Sequence, residues 1–386
     1  MAAGTVLIQS DPGLLAEVRR YGKFDPSGCY QCGSCTLSCE LVGDHASFPR
    51  RTLRYVLLGL RAPLLAGLDP WICHDCGDCS LICPRQAEPR ISMATVRTFL
   101  RARYDWTGVS RLLLRSRAWY LGSLAGTALA TLLLILLYHL YYVGMGWADL
   151  TTPFGLGHMF PTMTYYTLTV MLAPLLLLVS RVYVIWRLTM RGRTRAGLSA
   201  YAVEAWLYVW ESVTQPLMRK CPDRSRWLGH WLLALGTVLM ISVKLFALRW
   251  FQTESVYPIY HPQRWLGYLA SAFILYGLGD ILWGRIRAQK EFYKETRLED
   301  LTFPLLLLAT ALSGLTVHIA RYAGFAFTSH CAYAAHIIIA TPMLLVEMSF
   351  GRWSHMIYRP LALYFQAVRE RAEQEAPAQE AVPHAA

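Results

Sequence analysis

Charge is what this sequence has least of. Asp, Glu, Lys and Arg make up 16% of its 386 residues, 55% are hydrophobic, and the mean hydropathy is +0.31. So apolar a chain of this length is not a soluble protein. Stretches of about 20 apolar residues, the length that crosses a bilayer as a helix, recur after residue 116. Acidic residues are scarcer than basic ones, 25 against 37, for a formal net charge of +12. That excess does not imply nucleic acid, because the Lys and Arg gather in loops beside apolar stretches, as the positive-inside rule describes. A secretory leader is not expected either: MAAGTVLIQSDPG has no basic first region and no apolar core of sufficient length. Disulfides, which need an oxidising compartment, are therefore not expected. Cysteine is sparse, ten in all, and eight fall in two short runs. Cys221 and Cys331 lie outside those runs and read as inert thiols.

The runs are Cys29, Cys32, Cys35, Cys39 and Cys73, Cys76, Cys79, Cys83. Each has the spacing C-x2-C-x2-C-x3-C, and Pro84 follows the second, where the first has Glu40. Structural zinc sites use paired C-x2-C knuckles and not four cysteines in one tight run. The spacing is the ligand run of a bacterial two-cluster ferredoxin, in which the fourth cysteine of each run serves the other cluster. The expected ligand sets for two 4Fe–4S clusters are thus Cys29, Cys32, Cys35 with Cys83, and Cys73, Cys76, Cys79 with Cys39.

Around the runs, helices are expected near Leu14–Tyr21, over Pro49–Leu60 as an amphipathic segment, and over Ile91–Arg103. Six spans follow, at about Ala118–Val143, Thr162–Ile185, Leu228–Trp250, Trp265–Arg285, Leu301–Ala320 and Cys331–Gly351. A basic interfacial segment at Arg187–Arg226 carries Trp206, Trp210 and Trp227 as interface anchors. The loops after spans two and four hold Arg187, Arg191, Arg193, Arg195, Arg219, Lys220, and Arg285, Arg287, Lys290, Lys294, whereas Gly144–Pro161 has no Lys or Arg. This asymmetry puts the cluster domain, the basic loops and the C-terminus on the cytoplasmic side of the cell inner membrane. The expected fold is mainly α: an α-helical two-cluster ferredoxin-like domain over 1–105, a six-helix transmembrane cytochrome b bundle over 106–360, and a cytoplasmic helix end with a disordered, Pro- and Ala-rich tail over 361–386.

Haem enters through the histidines. Eleven are present, most in or beside spans, where ionisable residues are functional candidates. His230 opens span three and His355 follows span six, both near the cytoplasmic face, while His336 lies near the opposite face. His336 and His355 are 19 residues apart, roughly 28 Å along one helix, the two depths that a di-haem cytochrome b requires. His230 pairs with His355. For His336 the partner is open among His318, His139 and His261, with His158 a weaker choice. A helix returns to one face after 18 residues, so a spacing of 19 needs a correction of register, and Pro342 could kink or bulge the helix to provide it. Lys244 and Asp280 lie near span ends and are expected to snorkel. Glu347 is a candidate for a proton path or an arginine pair. His261, Arg264 and Glu347 are the candidate quinone-site residues.

Residues 22–84 resemble the electron-transfer subunit of heterodisulfide reductase that holds two 4Fe–4S clusters. Residues 228–365 resemble the cytochrome b (gamma) subunit of respiratory nitrate reductase, on His230 in RWLGHWLLAL, His336 in CAYAAHIII and His355 in SFGRWSHMIYRPLALYF. That resemblance implies haem ligation by His230, His336 and His355. It places the family's second ligand of span three at Met240, where this chain departs from histidine. The fusion is similar to the QmoC family, the membrane subunits of quinone-interacting membrane-bound oxidoreductase complexes. The family implies two b haems, membrane quinone or menaquinone as substrate, partners related to the flavoprotein subunit of heterodisulfide reductase, and electron exchange with adenylylsulfate reductase. The expected function is that of an electron-transfer subunit of a quinone-dependent oxidoreductase complex. The rivals are the membrane subunit of a heterodisulfide- or sulfite-linked respiratory complex, and a haem-free Fe–S membrane protein for metal maturation or redox sensing.

Overall fold

The computed structural model describes residues 9–42, 48–143, 160–191, 196–219, 223–251, 256–294 and 296–375. His158, Arg193, Arg195, Lys220, Cys221, the loop at 144–159 and the tail from 376 onward lie outside the described residues. Among the described residues the regular elements are all helical, with no strand.

The chain gathers into two compact units that do not follow chain order. The first combines residues 1–111, 180–220 and 355–386, and the second residues 112–179 and 221–354. The return of 180–220 to the first unit is a long-range grouping that a reading along the chain does not show.

In the first unit the three expected helices are Leu14–Arg19, Arg50–Leu57 and Pro89–Tyr104. Pro89–Tyr104 is its central rod. Met93, Val96, Leu100 and Tyr104 recur every three or four residues, the spacing of one helix face, and with Phe99 are fully buried. Leu14, Val18, Leu53 and Val56 complete this core from the two neighbouring helices. Arg51 ties Arg50–Leu57 to Asp69 through two hydrogen bonds, Nε to Oδ2 at 2.8 Å and Nη2 to Oδ1 at 2.6 Å. The helix His355–Glu375 packs on Leu198–Thr214 and on Asp69–Ile72. It inserts Tyr358 edge-on between Trp71 and Tyr104, at ring distances of 5.0 and 5.8 Å. Deep in this unit Asp105 meets Arg181 at 3.0 Å, with both side chains almost wholly buried. Trp206 and Trp210 stack on each other and are exposed, as interface anchors would be.

Six helices are long and apolar enough to cross a membrane: Arg117–Tyr141, Thr164–Thr189, Arg224–Phe246, Pro262–Arg287, Asp300–Tyr322 and Ala326–Met348, here spans one to six. In the second unit span three packs along span four, span five along span six, and span six also meets span one. After Pro342, which cannot donate a backbone hydrogen bond, span six widens into a π-helical segment, Met343–Met348. The bulge expected at that proline is therefore present. The expectation that His336 and His355 share one helix is corrected. The chain bends at Gly351, makes a 3-10 turn over Arg352–Ser354, and starts a new helix at His355.

Candidate functional site

Each cysteine run folds in the same way. The residue before the second cysteine takes a left-handed conformation, Gln31 at φ 57° and Asp75 at φ 60°, and so does the glycine after it, Gly33 at φ 90° and Gly77 at φ 104°. A one-turn helix follows in each run, Ser34–Leu37 and Asp78–Leu81. This double reversal curls the backbone around its own sulfurs. Glycine suits the second reversal because a Cβ there is strained.

Two small cavities result. One is lined by Cys29, Cys32, Cys35 and Cys83, and the other by Cys39, Cys73, Cys76 and Cys79. The fourth cysteine of each run thus borders the cavity formed by the first three of the other. Among the described residues no three His, Cys, Asp or Glu side chains converge as one metal ion requires. A four-iron cube takes four thiolates, and each cavity is lined by four cysteines.

The sulfurs also receive hydrogen bonds. Gln31 Nε2 donates to Cys29 Sγ at 3.4 Å, the Asp75 amide to Cys73 Sγ at 3.4 Å, and the Ala87 amide to Cys83 Sγ at 3.3 Å. Such bonds stabilise charge on cluster sulfur and tune its potential. Burial pushes the Cys76 thiol up to about 12 and raises Cys79 as well. Four thiolates there need positive charge between them, which cluster iron supplies. The cysteines therefore fit two 4Fe–4S clusters.

The second unit holds a cavity of about 320 Å³ bordered by spans two to six. Two histidines face it in opposite tautomers, as assigned from their hydrogen bonds. His336 Nδ1 lies 3.0 Å from the Thr310 carbonyl and 3.0 Å from Ser313 Oγ. A carbonyl only accepts, so Nδ1 carries the proton and Nε2 keeps its lone pair. That is how a protein fixes a metal-binding imidazole, with one nitrogen held by a carbonyl and the other left to the metal. His318 Nδ1 lies 3.4 Å from Arg264 Nη1, and its Nε2 lies 2.8 Å from Tyr268 Oη. Arginine only donates, so Nδ1 accepts, Nε2 carries the proton, and neither nitrogen is left for iron.

Gly314 also borders the cavity, and a Cβ there would sit 3.3 Å from His336 Cε1. The absence of a side chain on span five is thus part of what positions that ring. One imidazole thus presents Nε2 to a space bordered by five helices, and that nitrogen is the donor a metal would take.

The other expected site residues fall as follows. Arg264 borders the cavity, while His261, His139 and Glu347 do not. His261 caps span four by accepting from the Gln263 amide and stacks on Tyr257 at 4.1 Å. His139 sits in the π-helical turn Tyr138–Val143, where its Nδ1 is buried without a hydrogen bond. Glu347 is fully buried, and Tyr120 of span one donates to it. This tyrosine is a partner that the reading of Glu347 as a proton-path group or arginine pair did not name. Lys244, expected to snorkel, lines the cavity. Asp280 packs against Gly229 of span three. His230 opens span three in the second unit, and His355 opens the last helix of the first. The sequence reading missed Tyr268, Thr310, Ser313 and Gly314. Tyr268 stood one turn after Arg264 on the same helix face and was legible by that spacing. The Thr310 contribution is a backbone carbonyl, which no residue type announces.

Residues 26–88 match the family model described as a 4Fe-4S dicluster domain. No curated protein and no solved structure matches the chain. A dicluster domain joined to six apolar helices makes a multi-pass membrane protein for electron transfer.

Proposed function

We propose that the chain is the membrane subunit of a quinone-linked oxidoreductase, exchanging electrons between membrane quinone and a soluble flavoprotein partner. The observation that carries the reading is His336: its Nδ1 is tied to the Thr310 carbonyl while Nε2 is left free at the cavity among the spans. When bound, a b haem and two 4Fe–4S clusters supply one-electron chemistry. The two cysteine quartets hold the clusters, with Cys83 and Cys39 exchanged between the runs. Arg264 and Tyr268 give one side of the cavity hydrogen-bonding groups suited to a quinone oxygen. Tyr30, Leu37, Leu81 and Ile82 are each next to or within two residues of a cysteine ligand, and are 53–90% exposed. They offer an apolar face on which a partner can dock close to the clusters. The Arg- and Lys-rich loops after spans two and four support a cytoplasmic cluster domain in the inner membrane. The same arrangement supports the QmoC-family reading: partners related to the flavoprotein subunit of heterodisulfide reductase, and exchange with adenylylsulfate reductase.

The test is anaerobic purification of the full chain, with non-haem iron, acid-labile sulfide and haem counted per chain. The reading expects about eight non-haem irons, as two four-iron clusters require, and a b-type α-band that weakens in His336→Ala. A full cluster complement without haem would overturn it and leave the haem-free maturation or sensing rival.

A further inference from the structure

We propose that Ser34 and Asp78, at matching places in the two cysteine runs, set the order in which the two clusters are reduced. The cluster held by Cys29, Cys32, Cys35 and Cys83 takes its electron first. The proposal rests on the reading of the quartets as cluster sites and does not depend on haem.

The two runs share one backbone path and differ in what their side chains bring to sulfur. In each run the residue after the left-handed glycine stands against the second cysteine, Ser34 at Cys32 and Asp78 at Cys76, and its amide donates to that sulfur. The side chains differ in kind. Ser34 Oγ lies 3.4 Å from Cys32 Sγ, and a thiolate only accepts, so the hydroxyl donates. Asp78 brings a carboxylate to Cys76, which has no proton to give and repels negative charge on the sulfur.

Reduction adds an electron to a cluster, so groups that stabilise negative charge at its sulfurs raise its potential. Ser34 does this and Asp78 opposes it. The wider surroundings lean the same way. Arg50 and Arg85 border the first cavity, and among the described residues no acidic side chain does. Asp75, Asp78 and Arg90 border the second. Arg97 donates to Cys73, but Arg97 and Arg90 both pair with Asp75, at 3.1 and 3.7 Å. Arg359 lies against the neighbouring His74 at 2.8 Å. Three guanidinium groups against two carboxylates leave less positive charge at the second quartet than Arg50 and Arg85 leave at the first. Cys32 is also exposed, whereas the other seven cysteines of the runs are half-buried, and water stabilises added charge on that side. The electron therefore settles beside the exposed Tyr30 and Leu37, where a soluble carrier can reach it.

The experiment is a redox titration of the full chain, kept anaerobic and followed by EPR. Wild type is expected to show two midpoints. Ser34→Asp moves the upper midpoint down, Asp78→Ser moves the lower one up, and the two substitutions together narrow the gap. Ser34→Thr keeps the hydroxyl and leaves the upper midpoint in place, which separates donation to sulfur from simple packing. Non-haem iron is counted in every variant as a check on cluster assembly. Where Ser34→Asp does not assemble, Asp78→Ser and Ser34→Ala carry the test, and Ser34→Ala lowers the upper midpoint because the donor is lost. A single shared midpoint in wild type, a lower midpoint that answers to Ser34 substitution, or no shift in any variant overturns the order and leaves the cluster reading standing. Absence of non-haem iron from wild type overturns both.

Discussion

Cys83 and Cys39 are the residues at which the two runs depend on each other, since each borders the cavity formed by the opposite run. Cys83→Ser is therefore expected to abolish the same reduced-cluster EPR signal as Cys32→Ser. Non-haem iron should fall from about eight to about four per chain. If Cys83→Ser instead reproduced Cys76→Ser, each run would serve its own cluster. A second residue-level prediction concerns Asp105. Burial acts to raise its pKa, but hydrogen bonds from Thr107 and Ser110 and the Arg181 charge outweigh this and hold the carboxyl below the usual range. A depressed carboxylate contributes stability that is present above its unfolded value, about 3.9, and that is lost as pH falls through the folded value. Thermal unfolding in detergent should show this loss in wild type on acidification. Asp105→Asn should be destabilised at neutral pH by about 3–5 kcal/mol, because buried Arg181 keeps its charge without the carboxylate, and should lack this acid dependence. At this scale the cysteine spacing was legible in full, because ligand geometry imposes it. The histidines were legible only as depths. Which nitrogen is free depends on Thr310, Arg264 and Tyr268, far away in the chain and invisible to any count along a helix.

Elements carry the site through two devices. The first is the doubled left-handed turn in each cysteine run. An alanine at Gly33 or Gly77 would have to hold φ near 90° or 104°, at a cost on the order of 1–2 kcal/mol. At Gly33 its Cβ would also meet Arg50 Nη1 at 3.0 Å. Gly33→Ala and Gly77→Ala should each bleach faster than wild type when a chelator is added to the anaerobic protein. Equal bleaching rates would show that the turns do not hold the ligands. The second device is the tie between spans one and six, where Tyr120 donates to the fully buried Glu347. Tyr120→Phe removes the donor and should destabilise the protein by about 1–3 kcal/mol, read as earlier thermal unfolding in detergent. No change would mean that Glu347 is satisfied elsewhere. All six spans could be drawn from apolar run length, since the bilayer sets that length. The break after span six could not. The stretch SFGRWSHMIYRP keeps a helical mix of aromatic and basic residues through the bend at Gly351, so nothing in its composition marks the separation of His355 from His336.

At the scale of the whole molecule, scarce charge is deployed where membrane and cofactor chemistry need it. The composition gave the membrane bundle, and the cysteine runs gave the redox domain. The grouping of 180–220 and 355–386 with the cluster segment was beyond reach, because it depends on contacts between residues more than a hundred positions apart. Such a chain is built as a membrane electron-transfer protein, and the function proposed for it requires that quinone exchange electrons with its metal centres. The direct measurement is on the full chain, kept anaerobic, with visible and EPR spectra recorded after a menaquinol analogue is added to the oxidised protein. In parallel, a menaquinone analogue is added to the dithionite-reduced protein. The account predicts that in at least one direction the b-type α-band and the cluster signals change together with the quinone. Haem and clusters that respond to dithionite and ferricyanide, but to quinone in neither direction, would contradict it.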